Sequence, residues 1–223
     1  KRQVPDIIVS DVMMPRMNGY KLCKTIKEDI NISHIPVILL TARDDRQSQI
    51  SGYKNGADGY LSKPFEVEML MELIRNRLKN REYTKKRYLN AGLIPTPEES
   101  TISLTDETFL IKLNSIIQEN IDNTNLGIQF ICQEVGLGRS SLYNKLKALT
   151  GMGANEYISK LRIEKAITLI SGTDMPFSEI AEKTGFTTPS YFSTAFKQYT
   201  GETPSQYKDC LLYTSDAADD MQC

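Results

Sequence analysis

A segment near the start of the chain, residues 6–19, constrains the fold more than any other part of the sequence. Its apolar, β-favouring residues end in an acid, Asp11, and a turn containing Pro15 and Gly19 follows. A continuous apolar run predicts a strand that is buried on both faces, as in parallel sheets covered by helices. Ligands and reactive groups of such sheets lie at the carboxyl ends of the strands. The sequence therefore predicts a functional carboxylate at one edge of a sheet.

The first 81 residues alternate between strand and helix patterns. Short β-favouring runs are followed by segments whose apolar residues recur every three or four positions. Strands are predicted over residues 5–10, 35–42 and 59–62, and helices over residues 20–30, 45–55 and 66–81. This order predicts an α/β fold, with a parallel sheet and right-handed crossover connections.

Three of these strand ends carry complementary chemistry. Asp11, Thr41 and Lys63 fall at the same edge of the predicted sheet, and Pro64 follows the lysine. A carboxylate can attack a phosphoryl group, a hydroxyl can donate to a phosphoryl oxygen, and an ammonium can neutralise the added charge. Each residue alone would be an ordinary polar strand terminus. The three together in this order favour a phosphoryl site.

This arrangement resembles the receiver domain of two-component response regulators, an α/β, flavodoxin-like fold. The resemblance implies that Asp11 is the phospho-acceptor, that Thr41 is the switch hydroxyl and that Lys63 pairs with the phosphate. It also makes Tyr60 the aromatic residue whose rotamer follows phosphorylation, although a plain strand aromatic fits equally well. In a complete receiver, Asp11 and the main-chain carbonyl of Met13 would be ligands of Mg²⁺.

The resemblance covers only part of a receiver domain. Receivers have five strand–helix units, and residues 1–81 match the last three. Two further acids of the family's first strand hold Mg²⁺, whereas residues 1–10 supply only Asp6, which lies at the wrong end of its strand. A metal that loses most of its charged ligands binds weakly. We therefore expect this fragment to bind Mg²⁺ poorly and to be phosphorylated poorly.

Residues 82–105 have the composition of a linker. They include Pro95 and Pro97 and show little apolar periodicity. A basic run at residues 85–87 either contacts DNA or, as we favour, is a solvated extension of the preceding helix.

Within residues 106–208, a helix is predicted over residues 106–121 with Thr105 as its cap, and the rest contains an internal repeat. In each copy a short helix leads to a turn, opened by Gly136 or Gly185. A second helix follows and ends at Gly151 or Gly201, which is the order of a helix-turn-helix motif. A further helix is predicted between the copies, over residues 156–170.

The duplication resembles the AraC-type DNA-binding domain, an all-α unit with two such motifs. The second copy carries the family pattern most clearly, in Ile180, Ala181, Gly185, Phe186, Ser190, Tyr191, Phe192, Phe196, Lys197, Gly201, Pro204 and Ser205. A plain helical bundle would not account for turn, spacing and duplication together. The period of the helices predicts that Leu142, Leu146, Phe192 and Phe196 are core residues.

Outward-facing positions of the second helix in each copy are the predicted DNA contacts. These are Arg139, Ser140, Tyr143, Asn144 and Lys147 in the first copy, and Ser190, Ser193, Thr194 and Lys197 in the second. Asparagine can pair with adenine and arginine with guanine, while lysines grip phosphates. The short, uncharged side chains of the second copy predict weaker or shape-based readout. Between residues 139 and 165, six basic and two acidic residues give a local excess of +4, which supports a DNA-facing patch, with ordinary solvated helix surface as the alternative for much of this charge.

Composition limits the kinds of partner, metal site and cellular location that fit this chain. The net charge is −1, so a DNA-binding face must be a local patch. The cysteines form no zinc pattern, and we expect Cys23 and Cys132 to be buried in a protein of the reducing cytoplasm. No apolar run is long enough for a membrane span, although a parent protein could be anchored in the inner membrane upstream. The single histidine, His34, is expected to be a solvated loop residue.

Residues 209–223 resemble the translation of a sequencing-library adapter, and we expect them to be a non-native tail. A short disordered acidic tail is the alternative.

Together these patterns predict a sequence-specific, DNA-binding transcription regulator of a two-component phosphorelay. Its predicted partners are double-stranded DNA and a phospho-histidine kinase domain, in the same chain or in another, and a homodimer is compatible with the sequence. The fragment has no kinase core and is not expected to be an enzyme. It would be the C-terminal part of a hybrid histidine kinase, or a stand-alone response regulator. A third interpretation makes the receiver remnant a protein-docking module only.

Overall fold

The computed structural model describes residues 4–42, 55–90 and 103–219, without the side chains of residues 87–90 and 212–219. The chain divides into two compact units. The first comprises residues 1–112 and 137–152, and the second comprises residues 113–136 and 153–223. Nearly all of the helix predicted over residues 45–55 lies outside the described residues.

A small parallel sheet lies in the first unit. Its strands β1 (Ile8–Asp11), β2 (Val37–Thr41) and β3 (Gly59–Ser62) are in the order β1-β2-β3. The predicted α/β arrangement is confirmed, and β3 has the predicted bounds. The prediction that the first strand begins at residue 5 and is buried on both faces is wrong. Within the described residues β1 pairs only with β2, and Val9 remains 39% exposed.

Helix α1 (Gly19–Glu28) covers one face of this sheet. The side chain of Asn18 accepts a hydrogen bond from the Lys21 backbone N–H at 2.8 Å, which fixes the start of the helix. Cys23 is fully buried, as predicted, among apolar residues that include Val37 and Leu39. Cys132 in the second unit is only partly buried.

Helix α2 (Val67–Asn90) is longer than predicted. It continues nine residues beyond residue 81, so the first part of the predicted linker is helical. The basic run at residues 85–87 lies in this extension, as the favoured interpretation held. Long polar side chains are good helix formers even where no apolar face guides the prediction.

Helix α3 (Leu104–Glu119) begins earlier than predicted, and Thr105 is not its cap. Instead, the Ser103 hydroxyl accepts from the Asp106 backbone N–H at 3.2 Å. The Thr105 hydroxyl donates to the Lys27 carbonyl at 2.9 Å. This contact is distant in sequence, so a local capping rule could not identify it.

The helices of the predicted repeat follow in the expected order. They are α4 (Ile128–Val135), α5 (Arg139–Thr150), α6 (Ala154–Gly172), α7 (Phe177–Lys183), α8 (Pro189–Thr200) and α9 (Pro204–Asp219). Gly136, Gly151 and Gly201 each end a helix in the left-handed conformation, as the repeat predicts. Helix α9 runs through Asp219, well into the segment predicted to be a non-native tail.

An aromatic cluster forms the core of the second unit. Phe186, Phe192 and Phe196 are buried, and successive rings lie 5.3 and 5.6 Å apart. In the first unit, Leu142 and Leu146 of α5 are buried as well, while α5 packs against α2. The four predicted core residues of the repeat are therefore confirmed.

His34 is not the solvated residue that the sequence predicted. It is 8% exposed, in the loop before β2 and within the electrostatic influence of Lys145 and Asp106. The contacts that enclose it come from parts of the chain that are distant in sequence.

None of the helices in the described part of the chain combines the length and apolar character of a bilayer-spanning segment.

Candidate functional sites

The acidic edge of the sheet brings together residues from three strand ends. Asp11 ends β1, Thr41 ends β2 and Lys63 follows β3 directly. The Lys63 ammonium donates to one carboxylate oxygen of Asp11, and the Met13 backbone N–H donates to the other at 3.0 Å. Both contacts lower the pKa of Asp11, and the hydrogen bond from Lys63 has the larger effect. The acid is therefore ionised at neutral pH, the state in which a carboxylate is a nucleophile.

Thr41 and Tyr60 occupy different positions around this edge. Thr41 is 2% exposed, and its carbonyl accepts from the Lys63 backbone N–H at 2.6 Å. Tyr60 lies in β3, and its hydroxyl is 3.5 Å from that of Tyr20 in α1. The predicted set thus occupies neighbouring strands, with Tyr60 packed toward the helix that covers the sheet.

Gly19 is part of the same site, although the sequence suggested no specific role for it. Its backbone N–H donates to the Val12 carbonyl at 3.0 Å. A Cβ atom at this position would lie 2.5 Å from the Asp11 carbonyl oxygen, too close for any side chain. The glycine in the turn after the strand was the available signal in the sequence. The reason that a glycine is needed there is the close approach of two backbone segments.

The described residues do not by themselves fit a Mg²⁺ site. Mg²⁺ prefers octahedral oxygen coordination that includes carboxylates. At this edge the described part of the chain offers one carboxylate, Asp11, and Lys63 already contacts it. No cluster of three or more potential metal-ligating side chains occurs in residues 4–42, 55–90 and 103–219. The Met13 carbonyl alone would add little charge.

The predicted DNA-contact residues of the first copy share the exposed face of α5. Asn144 and Lys147 are exposed, while Leu142 and Leu146 on the opposite face are buried. The other exposed members of the predicted set are Arg139, Ser140 and Tyr143. This face combines a basic residue at each end with amide, hydroxyl and aromatic groups between them.

The predicted set of the second copy lies on α8. Ser190, Thr194 and Lys197 are exposed, whereas Ser193 is partly buried. The hydroxyls of Ser193 and Thr194 each donate, at 3.0 Å, to a carbonyl four residues earlier in the helix. Their protons are thus engaged within α8, which is consistent with the weak base readout that their size predicts.

Tyr191 is an exposed residue of α8 that the sequence reasoning did not include among the contacts. It is 56% exposed, and its ring packs edge-on against Phe186 at 5.7 Å. An aromatic residue in the first turn of the second helix was the available signal. Because one edge of the ring is anchored, the remainder is a firm apolar surface beside Ser190.

The basic excess counted between residues 139 and 165 lies only partly at the surface, so the exposed charge is smaller than the sequence count. Lys145 and Lys160 are 0% and 6% exposed. Arg162 donates to the Asn123 carbonyl at 2.7 Å and is only partly exposed. Formal charge along the sequence does not reveal which side chains turn inward. The exposed bases of this stretch are Arg139, Lys147 and Lys165.

Two family models match the chain. Residues 1–75 match the response regulator receiver domain, and residues 131–209 match a helix-turn-helix domain of the AraC type. The first match contains Asp11, Thr41 and Lys63, and the second contains both sets of predicted DNA contacts.

Individual relatives match different lengths of this chain. The chain is 42% identical over 209 residues to histidine kinase P4 of Formosa agariphila. The matched region covers 94% of this chain and 15% of that protein. It is 30% identical to the probable transcriptional regulator ycf29 of Pyropia yezoensis, covering 68% of this chain and 73% of that one. The C-terminal domain of AraT, a response regulator from Geobacillus stearothermophilus, is 30% identical with a TM-score of 0.43, over 46% of this chain and 84% of that one.

Proposed function

Because this chain belongs to the response regulators in which a receiver domain precedes an AraC-type helix-turn-helix domain, we propose that phosphorylation of Asp11 controls its binding to promoter DNA. The observation that carries the proposal is the ionised Asp11 carboxylate, paired with Lys63 at the sheet edge where Thr41 also ends. The proposed domains are residues 1–81 for the receiver, with a connecting segment before residue 106, and residues 106–208 for DNA binding.

The phosphoryl step uses groups that this edge supplies. A carboxylate oxygen of Asp11 attacks the phosphorus of a phosphohistidine, the P–N bond breaks, and an acyl phosphate forms on the aspartate. The Lys63 ammonium, already in contact with the carboxylate, then pairs with the added negative charge. The Thr41 hydroxyl donates to a phosphoryl oxygen, and Tyr60 repacks in response. The phosphodonor is a histidine kinase domain, in the same chain or in a separate protein.

The response is a shift between two conformational states. Phosphorylation adds a local charge that favours the state in which Thr41 and Lys63 both contact the phosphoryl group. In that state the DNA-binding half takes the arrangement that engages its operator. Asn144 and Arg139 read base edges, while Lys147 and Lys197 hold phosphates.

We further propose that the chain is the C-terminal part of a hybrid histidine kinase. The Formosa agariphila relative supports this, since its similarity extends over 94% of this chain. The chain spans 15% of that relative's length, which leaves ample room for sensor and kinase domains in such a protein.

Phosphodonor labelling tests the role of Asp11. Residues 1–223 alone, incubated with a small phosphodonor and Mg²⁺, are expected to be labelled weakly, because the charged metal ligands are too few. The parent protein with a complete receiver is expected to be labelled strongly, and Asp11→Asn should abolish this labelling. Strong labelling of residues 1–223 at Asp11 would contradict the metal argument.

DNA binding by the same parent protein tests the control step. Phosphorylation is expected to change operator affinity in the wild-type protein and to leave the Asp11→Asn variant unchanged. Equal operator affinity with and without phosphodonor, despite full labelling, would instead favour a receiver that serves only as a docking module.

A further inference from the structure

A small cavity in the first unit lies away from the acidic edge of the sheet. Its walls come mainly from the loop before β2, from α2 and from the start of α3, with further residues from α1, α5 and the turn before β3. Its volume is about 80 Å³, room for roughly five to eight water molecules. That size suits a small oxyanion and excludes a nucleoside. Asp11, Thr41 and Lys63 are not among its lining residues.

Two nitrogen atoms of residues that line this cavity have no hydrogen-bond partner within the described part of the chain. They are Nδ1 of His34 and Nε of Arg77, and both atoms are buried. His34 as a residue is 8% exposed. A buried nitrogen without a partner costs free energy unless a ligand or water satisfies it. Two such nitrogens on one small cavity indicate that the site takes up a hydrogen-bond acceptor.

The neighbouring ionic groups are largely committed to each other. The Lys27 ammonium lies 2.8 Å from a carboxylate oxygen of Asp58 and also donates to two carbonyls. The Lys145 ammonium contacts Asp106, and it donates to the Ser33 hydroxyl at 2.7 Å. The acids near the cavity are thus already neutralised by partners.

The charge that remains is positive. Lys27, Arg77 and Arg81 line the cavity, and Lys145 contacts one of its lining acids. The lining residues comprise three cations and the two carboxylates of Asp58 and Asp106, an excess of one positive charge. Lys145 beside Asp106 and Asp6 beside Arg81 add one charge of each sign, so the excess stays at one. Among the described residues, Arg81 donates to the Asp6 carbonyl at 3.2 Å and lies 4.0 Å from the exposed Asp6 carboxylate. An anion would be favoured over water here.

The protonation state of His34 is consistent with an excess of positive charge at the cavity. Burial, followed by the charges of Lys145 and Arg81, lowers its pKa to about 4, against the opposing effect of Asp106. Lys27 adds to the lowering. The imidazole is therefore neutral at pH 7, when it can donate from Nδ1 without adding further charge to the site.

We propose that this cavity binds a tetrahedral oxyanion, inorganic phosphate or sulfate, through His34 Nδ1–H and Arg77 Nε–H, beside the guanidinium of Arg81. The site is separate from the acidic edge of the sheet. It involves residues of the loop before β2, of α2 and of the start of α3, so occupancy stabilises the packing of these segments within the first unit.

The experiment uses the single histidine of the chain. In the isotope-labelled 223-residue protein, the ring signals of His34 are followed by NMR from pH 7.5 to pH 4, in sodium phosphate, sodium sulfate or sodium chloride at equal ionic strength. Phosphate and sulfate are expected to raise the pKa of His34 by about one unit or more relative to chloride, because an anion within 4–6 Å favours the imidazolium. At pH 7, phosphate should shift these signals in a saturable manner.

Matched variants locate the anion. Arg77→Met should weaken phosphate binding at least about tenfold, since it removes a charged hydrogen-bond donor. Arg75→Met is the control, because Arg75 is exposed in the same helix and paired with Glu72. Acetate, which is planar and singly charged, should bind more weakly than sulfate.

Three results would overturn the proposal. The first is a His34 titration in the wild-type protein that is identical in phosphate and chloride. The second is an equal loss of affinity in the Arg75 and Arg77 variants. The third is a response to phosphate confined to Asp11 and Lys63. The wild-type titration decides the question even if Arg77→Met fails to fold, and it does not depend on the phosphorelay function.

Discussion

Gly136 and Gly185 occupy corresponding positions of the two helix-turn-helix copies, and both have a φ of +71°. Their surroundings differ. A Cβ atom on Gly185 would lie 2.3 Å from the Ile121 carbonyl oxygen and 2.7 Å from the Arg162 guanidinium. On Gly136 it would meet nothing within 4 Å. The sequence predicts a turn glycine at both sites, but only the packing around Gly185 makes any side chain there a steric conflict.

Alanine substitutions at these two glycines should therefore differ in cost. Gly136→Ala should reduce the free energy of unfolding by about 1–2 kcal/mol, the cost of a left-handed alanine. Gly185→Ala should cost at least about 2 kcal/mol more, because the clash with the Ile121 carbonyl is with backbone. Urea unfolding of the two variants measures this difference, and equal costs would contradict the structure of the second turn.

His34 makes a pH-dependent contribution to stability. Its pKa falls from an ordinary 6.5 to about 4 in the folded protein, so below pH 6.5 the unfolded chain binds a proton that the folded chain does not. Stability should therefore fall as the pH decreases from 6.5 toward 4. Between pH 7 and pH 5 the wild-type protein should lose about 2 kcal/mol more than His34→Gln, in buffer without phosphate or sulfate. Parallel pH profiles would show that His34 is not buried as described.

At the scale of elements, hydrophobic period and terminal residues predicted most of the helices. The three-to-four-residue period located α8, and Gly151 and Gly201 located the ends of their helices. The extension of α2 through residues 82–90 carried no apolar period, so its composition indicated a linker instead. Periodicity also placed Lys145 among the bases of α5 without showing that its ammonium is buried against Asp106.

The exposed face of α5 leads to a prediction about DNA recognition. Asn144→Ala should cost roughly 1–3 kcal/mol for the preferred operator and relax selectivity at one base position. Lys147→Ala should weaken binding to all sequences alike and reduce the salt slope by about one. Fluorescence anisotropy with cognate and scrambled duplexes over a range of salt concentrations separates the two effects. Unchanged affinity and selectivity in Asn144→Ala would refute its assignment as a base reader.

At the scale of the whole molecule, the two compact units do not coincide with the domains that the sequence predicts. Residues 137–152 cluster with residues 1–112. Part of the reason is a buried polar group in which Lys145 contacts both Asp106 and Ser33. These three residues are distant in sequence, and no local pattern pairs them. The sequence could predict the acidic edge, because strand order brings Asp11, Thr41 and Lys63 together, but not this group or the burial of His34.

In the proposed function, a receiver domain is joined to a DNA-binding module whose two helix-turn-helix motifs both read DNA grooves. Selection of duplexes from a random library by the 223-residue protein tests it most directly. We predict enrichment of a site with two specified blocks about 10 base pairs apart, the stronger of which loses its selectivity in Asn144→Ala. Binding that enriches no sequence and depends only on salt concentration would contradict the account.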